Sequence, residues 1–278
     1  VVFPTPTDEK RGYTVNILNR LQTWWNWLTT DPVGFIVYML YFAVAVLLTL
    51  MLHEIAHGYV AYRCGDPTAK MLGRLTLDPR KHLDPIGTVC LVLLGFGWAK
   101  PVPVNPRNFR GNYRRDDFMV SVAGVVTNLT LFIISLLLAT LINPLLWKPE
   151  VLQYYGAADL ISTDGVAFGA IVYGMVDSSL LQIPWLIHVQ RFLLLFSSMN
   201  LAIAVFNLLP IPPLDGFHVL NDLILKGKLT MNAQFFQIAQ IVLLVLVFSG
   251  ALGGVLSAVT GEVEGGVLHL FLLMEGVA

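Results

Sequence analysis

Between Gly34 and Leu52 the chain carries no charged residue, and then His53-Glu54-Ile55-Ala56-His57 places three ionisable groups within five positions. An apolar run of this length predicts a membrane-spanning helix, because crossing the hydrocarbon core takes about 20 residues. Few other backbone conformations are open to it, since lipid leaves no partner for a free N–H or C=O. Ionisable groups at the end of such a span are costly and rarely idle. At about 100° per residue, His53 and His57 fall on one helical face, about 40° apart. Both imidazoles can therefore reach one metal ion, with Glu54 beside them as a general base.

Composition extends this reading to the whole chain. It is 56% hydrophobic and 13% charged, against roughly 25% charged residues in a soluble domain. The fold class this implies is an all-α polytopic membrane protein. Lipid is an expected partner and nucleic acid is not; the formal net charge of −1 says little, because its distribution matters more than the sum. Cys64 and Cys90 supply neither a disulfide framework nor a Cys-x-x-Cys metal pair.

The pattern predicts about four full transmembrane helices, a short re-entrant element and a small extended segment. Residues 1–30 read as an amino-terminal interfacial segment. They carry no signal-peptide pattern, because Pro4, Pro6, Asp8 and Glu9 interrupt any apolar core. Trp24, Trp25 and Trp27 suit a short helix at the membrane surface. The first span runs from about Gly34 to Tyr62 and stops at Gly65-Asp66-Pro67. Arg74–Leu77 alternates like a strand, and Pro101–Pro106 must be extended. Pro85–Trp98 is apolar but only about 14 residues long, which fits a re-entrant element. The second span is Phe118 to about Ile142, the third about Leu186 to Leu209 and the fourth about Ala233 to Leu256. The stretch Val267–Leu273 is too short to cross. Residues 31–230 form the expected core, with 143–185 an exposed extracytoplasmic connection, and 231–278 hold a last transmembrane helix and tail.

Ten of the seventeen Lys and Arg residues lie between Arg63 and Arg115, and Lys226 and Lys228 follow the third span. The positive-inside rule puts both regions in the cytoplasm. Four crossings then start from an outside amino terminus, and the histidines sit towards the cytoplasmic side.

A hydrolytic zinc site has three protein ligands and one place for water. The best third ligand is Asp215, in the helix-breaking segment Asn207-Leu208-Leu209-Pro210-Ile211-Pro212-Pro213-Leu214-Asp215-Gly216 after an uncharged span end. Zn²⁺, one carboxylate and one hydroxide sum to neutrality, which lowers the cost of embedding the cluster. His82 and His218 read as surface or satisfied histidines, and Asp66, Asp78 and Asp84 as turn residues.

The motifs His-Glu-x-x-His in span one, Gly124-x-x-x-Asn128 in span two and Asn207-x-x-Pro-x-Pro-x-Leu-Asp215-Gly after span three resemble the site-2 protease family of intramembrane zinc metalloproteases. The place that family often gives to proline after the span-two glycine is held by Val125. No PDZ module interrupts 143–185 and no CBS-type tail follows span four, so the chain looks like a minimal, prokaryotic catalytic-core member. The resemblance implies hydrolysis of a peptide bond within or near the transmembrane segment of a membrane-protein substrate. It implies that His53, His57 and Asp215 bind Zn²⁺, that Glu54 is the base, that Asn207 holds substrate backbone and that Asn128 supports the site. Leu75–Leu77 and Val102–Val104 are expected to pair with the unwound substrate as an added strand. A membrane-embedded inhibitor or adaptor is a further partner such a protease admits.

Two rivals use the same residues differently. A metal transporter or channel would need His or acidic residues along several spans, and only His188 and Arg191 enter span three, near its start. An inactive protease-like scaffold would not need the intact His-Glu-His-Asp set.

Overall fold

Asp31 and Pro32 start the helix that carries the histidines. The Asp31 carboxylate accepts the Gly34 amide at 2.9 Å, and Pro32 occupies a first-turn position that needs no N–H. The computed structural model describes residues 17–85, 87, 99–226 and 232–274. Within them, α1 is Ile17–Thr30, α2 Pro32–Arg63, α3 Thr68–Met71, α4 Tyr113–Leu146, α5 Pro149–Tyr155 and α6 Phe168–Tyr173. The chain continues with α7 Leu186–Asn207, α8 Asp215–Leu223, α9 Ala233–Phe248 and α10 Gly253–Met274.

Four of these helices, α2, α4, α7 and α10, are long and apolar enough to cross a membrane. At 34 residues α4 spans about 50 Å, more than the roughly 30 Å hydrocarbon core, so part of it projects past the lipid. Large apolar side chains face outward all along the bundle, including Ile36, Leu40, Ile133, Leu141, Ile241 and Val245. Water would penalise such a surface; lipid does not. Inside, α4 packs on α7 and α2, and the core runs through Phe132, Leu136, Leu194 and Leu201.

Three expectations change. The sequence pattern predicts the fourth crossing at about Ala233–Leu256, but there the helix breaks after Phe248, with Gly250 at φ +75°, and leaves α9 only 16 residues long. The span of crossing length is α10, whose glycines and two glutamates dilute its hydropathy along the sequence. The Glu264 carboxylate is accommodated by the Ser198 hydroxyl, which donates to it at 2.8 Å.

The strand expected at Arg74–Leu77 does not form. Leu75 and Thr76 form a bend, and among the described residues the only β-bridges are the isolated pairs Leu83–Ala99 and Trp147–Leu181. Side chains occupy these backbones instead. The Arg74 guanidinium donates to the Lys100 carbonyl at 2.7 Å, and the His82 ring meets the Thr76 carbonyl at 2.8 Å. The re-entrant element predicted at Pro85–Trp98 lies almost wholly outside the described residues.

The connection 143–185 is not simply exposed. It folds as α5, α6 and a 3₁₀ turn, and it buries Trp147, Leu160, Ile161 and Ile171 in the main core. It therefore caps the bundle rather than trailing from it.

Candidate metal centre

His53 and His57 occupy successive turns of α2, in its last third. Their Nε2 atoms lie 3.0 Å apart. Asp215 is the first residue of α8, and its Oδ2 lies 3.3 Å from each of these Nε2 atoms. His53 is only 4% exposed.

The segment before Asp215 explains how a residue so distant in sequence arrives there. After α7, the Ile211 amide donates to the Leu209 carbonyl at 2.8 Å and the Leu214 amide to the Ile211 carbonyl at 2.9 Å. The chain thus doubles back within a few residues. Gly216 lies against the Leu208 and Leu209 backbone, where any Cβ would collide with the Leu208 carbonyl. A side chain at this position would push Asp215 away from the histidines.

Gly124 plays the matching part on α4. A Cβ there would stand 2.5 Å from both His53 Cε1 and His57 Nε2. Its absence lets α4 touch the imidazoles directly. One turn earlier, the Val120 carbonyl lies 2.7 Å from His57 Nδ1. With the proton on Nδ1 donated to that carbonyl, Nε2 presents its lone pair to the centre, as metal-bound histidines require.

The donor set fits zinc. Tetrahedral ligands at bonds of about 2.0–2.1 Å stand about 3.3 Å from one another, and the three observed separations are 3.0, 3.3 and 3.3 Å. Asp215 Oδ2 is buried yet makes no hydrogen bond of acceptable geometry. The three atoms point at a common centre rather than at each other. Among the described residues this is the one group of three His, Cys or acidic side chains whose ligand atoms converge.

Glu54 is held differently. Its Oε2 accepts the Val102 amide at 2.7 Å. Gly58, one turn on, makes room for the segments that bring Val102 there: a Cβ at Gly58 would meet Leu75 and Val102 side chains at 2.8 Å. Farther back, Asp66 accepts the amides of Asn105 and Thr68 at 2.7 and 3.1 Å and the Asn108 side chain at 2.7 Å. Burial pushes the Asp66 carboxyl up, but the Asn105 amide and these other donors outweigh it and leave it below the usual carboxylate range. The turn role expected of Asp66 is thus an anchoring one. It ties the end of α2 to the loop that delivers Val102 to Glu54.

The two asparagines stand less directly. Asn207 donates from Nδ2 to the Ile203 carbonyl of its own helix at 3.0 Å. Asn128, one turn beyond Gly124, is 0% exposed and its amide makes no hydrogen bond among the described residues. His82 is buried with its Nε2 at 2.8 Å from the Thr76 carbonyl and no partner for its Nδ1 among the described residues, and His218 faces Asp117, its Nδ1 3.4 Å from a carboxylate oxygen.

Sequence reasoning passed over the polar link beneath the centre. Asn200 of α7 donates to the Thr49 hydroxyl at 3.1 Å, joining α7 to α2 one turn before His53. Both residues are fully buried. The signal was present: Asn200 interrupts an apolar span at seven residues from Asn207, on the same helical face.

A family model described as peptidase family M50 matches residues 41–250, which include all three converging side chains. The chain is 36% identical over 208 residues to "Putative zinc metalloprotease YwhC" of Bacillus subtilis, covering 75% of this chain and 80% of that protein. A protein of the same description named Rip2, from Mycobacterium tuberculosis, is 29% identical over 240 residues, covering 82% of this chain and 75% of that one. Its counterpart in Mycolicibacterium smegmatis is 26% identical over 201 residues, 70% of this chain and 62% of the relative. No solved structure is a significant match. With the match spanning most of its length and its three motifs drawn to one point, the chain belongs to peptidase family M50, the site-2 protease family.

Proposed function

We propose that this protein is an intramembrane zinc endopeptidase that cleaves a membrane-protein substrate within or near its transmembrane segment, on the cytoplasmic side. The observation that carries the reading is the convergence, at 3.0–3.3 Å, of His53 and His57 on α2, a helix apolar enough to cross a membrane, with Asp215 at the start of the short helix α8. Membership of a peptidase family and the description of the relatives as zinc metalloproteases support the chemistry. The cluster of Lys and Arg from Arg63 to Arg115 supports the orientation.

His53, His57 and Asp215 hold the ion. Zinc bound there supplies a water of lowered pKa and polarises a carbonyl. Glu54 takes the proton of the attacking water and returns it to the leaving amine. The Val102 amide fixes one oxygen of Glu54, so the other is the one that carries the proton. The same bond ties the extended Val102–Val104 backbone to the base, and an unwound substrate pairing along it would pass close to Glu54. Asn128, buried with a free amide, supports the site from α4, and Asn207, whose Nδ2 is engaged by the Ile203 carbonyl, offers its side-chain oxygen to substrate backbone. An apolar groove of about 500 Å³ between α2 and α4, lined by Leu52, Ile55, Ala56, Met119 and Val122, offers a surface for a substrate span. The transporter reading gains no support, since the described residues hold a single converging ligand group rather than a line of them.

Glu54→Gln tests the proposal. The variant should keep zinc at wild-type stoichiometry by elemental analysis and lose about 10²–10⁴-fold in cleavage of a candidate membrane substrate. Cleavage at the wild-type rate would remove Glu54 from the mechanism.

A further inference from the structure

Arg191 lies six residues past the residue that caps α7 at its start, Trp185, at the end of the helix away from Asn207 and the metal centre. It is 5% exposed, a deeply buried guanidinium. Its Nε donates to the Val172 carbonyl at 2.8 Å, and the group lies 4.8 Å from the centre of the Tyr41 ring. Tyr41 precedes His53 by twelve residues, about 18 Å along α2. The Nη2 of Arg191 makes no hydrogen bond among the described residues. Four ion pairs are present there, and Arg191 enters none of them.

Arg191 lines a cavity of about 280 Å³, together with Gly174, Val176, Ser178, Pro184 and His188. Gly174 is in the left-handed region at φ +74°, and a Cβ there would approach Arg191 Nη1 to 2.6 Å. The turn is therefore shaped around the guanidinium. His188, one turn before Arg191, meets the Tyr41 hydroxyl at 2.9 Å through Nδ1. The first turn of α7, which adds Ile187 to the lining, has no side-chain cap. A buried cation and an imidazole thus line one cavity, and no carboxylate among the described residues pairs with the cation.

We propose that this cavity binds the phosphoryl group of an anionic ligand. A buried guanidinium with a free N–H is unfavourable unless an anion completes it. Its planar fork matches phosphate oxygens. The level of the cavity argues for a headgroup phosphate. Trp27, Tyr38 and Tyr173 pack ring to ring beside it, and Trp185 is exposed at the start of α7. Such aromatic belts mark the depth at which lipid phosphates lie. A free phosphate ion carries the same chemistry and is the second source.

The test uses the full chain in a neutral detergent. Native mass spectrometry and thermal unfolding are followed while dioctanoyl phosphatidylglycerol, dioctanoyl phosphatidylcholine or inorganic phosphate is added at matched ionic strength. Saturable binding of one phosphatidylglycerol per chain, at least tenfold tighter than phosphatidylcholine, supports the proposal. Competition by inorganic phosphate at equal concentration assigns the site to the free ion, and lack of competition assigns it to the headgroup. Arg191→Gln should weaken binding at least tenfold. Because that variant alters a buried residue, Ser178→Trp fills the cavity from an exposed turn and should abolish binding while Arg191 stays. Equal affinity in wild type and Ser178→Trp, or no saturable binding of either phosphate source to wild type, would overturn it. None of these outcomes depends on zinc or on proteolysis.

Discussion

Asp215, His218 and Asp222 follow one another at i, i+3 and i+7 of α8, so all three lie on one helical face. Asp215 meets two imidazoles at 3.3 Å in an arrangement that converges on one point. The other two meet Asp117 of α4, with His218 Nδ1 at 3.4 Å, and do not converge into a ligand group. His218-x-x-x-Asp222 has the same spacing as His53-x-x-x-His57. The difference lies in what stands opposite. Gly124 and a backbone carbonyl face the first pair and leave its nitrogens free to aim together. An aspartate faces the second pair and draws it into a proton-sharing cluster.

That cluster has its own electrostatics. Burial, and then the nearby Asp117 carboxylate, push the Asp222 carboxyl up to about 6. The hydrogen bond to Asp117 raises the His218 imidazole above its ordinary value. The contact of His218 and Asp222 with Asp117 joins α8 to α4. This fixes the helix whose first residue is the proposed third ligand.

The largest expected effect breaks the comparison on its metal side. Asp215→Ala should reduce zinc from about one ion per chain to under about a tenth of that, because two imidazoles alone do not make a closed site. Unchanged stoichiometry would take Asp215 out of the ligand set. Next comes Gly124→Ala, whose methyl group would stand 2.5 Å from both rings. We expect a loss of about 10–100-fold in zinc affinity, as for other changes that reorient bound histidines. An affinity equal to wild type, measured by competition with a chromogenic chelator, would show that α4 does not set the ring positions.

The smallest effect sharpens the other side. Asp222 has a folded pKa of about 6, above its ordinary 3.8. Its contribution to stability is therefore fully present below 3.8 and is lost as pH rises through 6. The raised His218 acts with the same sign. Asp222→Asn should match wild type near pH 3.5, draw ahead of it as pH rises towards 6, and unfold about 2–4 °C higher near pH 8, a gain of about 1 kcal/mol. Zinc content should not change. Loss of zinc in this variant, or a pH profile parallel to wild type, would erase the distinction between the two clusters.

Much of the proposed site was legible along the chain because short-range rules carried it. His53, Glu54 and His57 needed only helical periodicity at the end of an uncharged run. Asp215 stood out because a carboxylate in a proline-rich break after an apolar span demands a partner. Gly124 was visible as a motif residue, but its contact with both rings was not. The fourth crossing was misplaced because a hydropathy reading favours the stronger run at Ala233–Phe248, and Gly250 ends that helix early. Alternation at Arg74–Leu77 suggested a strand, yet side-chain hydrogen bonds from Arg74 and His82 captured the backbone groups a partner would have used.

Taken alone, the order of residues decided the solvent, the helical class and the identity of the three converging side chains, because apolar length and ligand spacing are local properties. It could not decide which His-and-carboxylate spacing becomes a metal centre and which a proton-sharing clamp. Nor could it show that Val102 holds Glu54, that Asn200 ties α7 to α2, or that Arg191 lies buried beside a cavity. Those outcomes depend on what the neighbouring helix presents at each contact, a carbonyl, a bare glycine or an acid, and that is set only when distant segments pack.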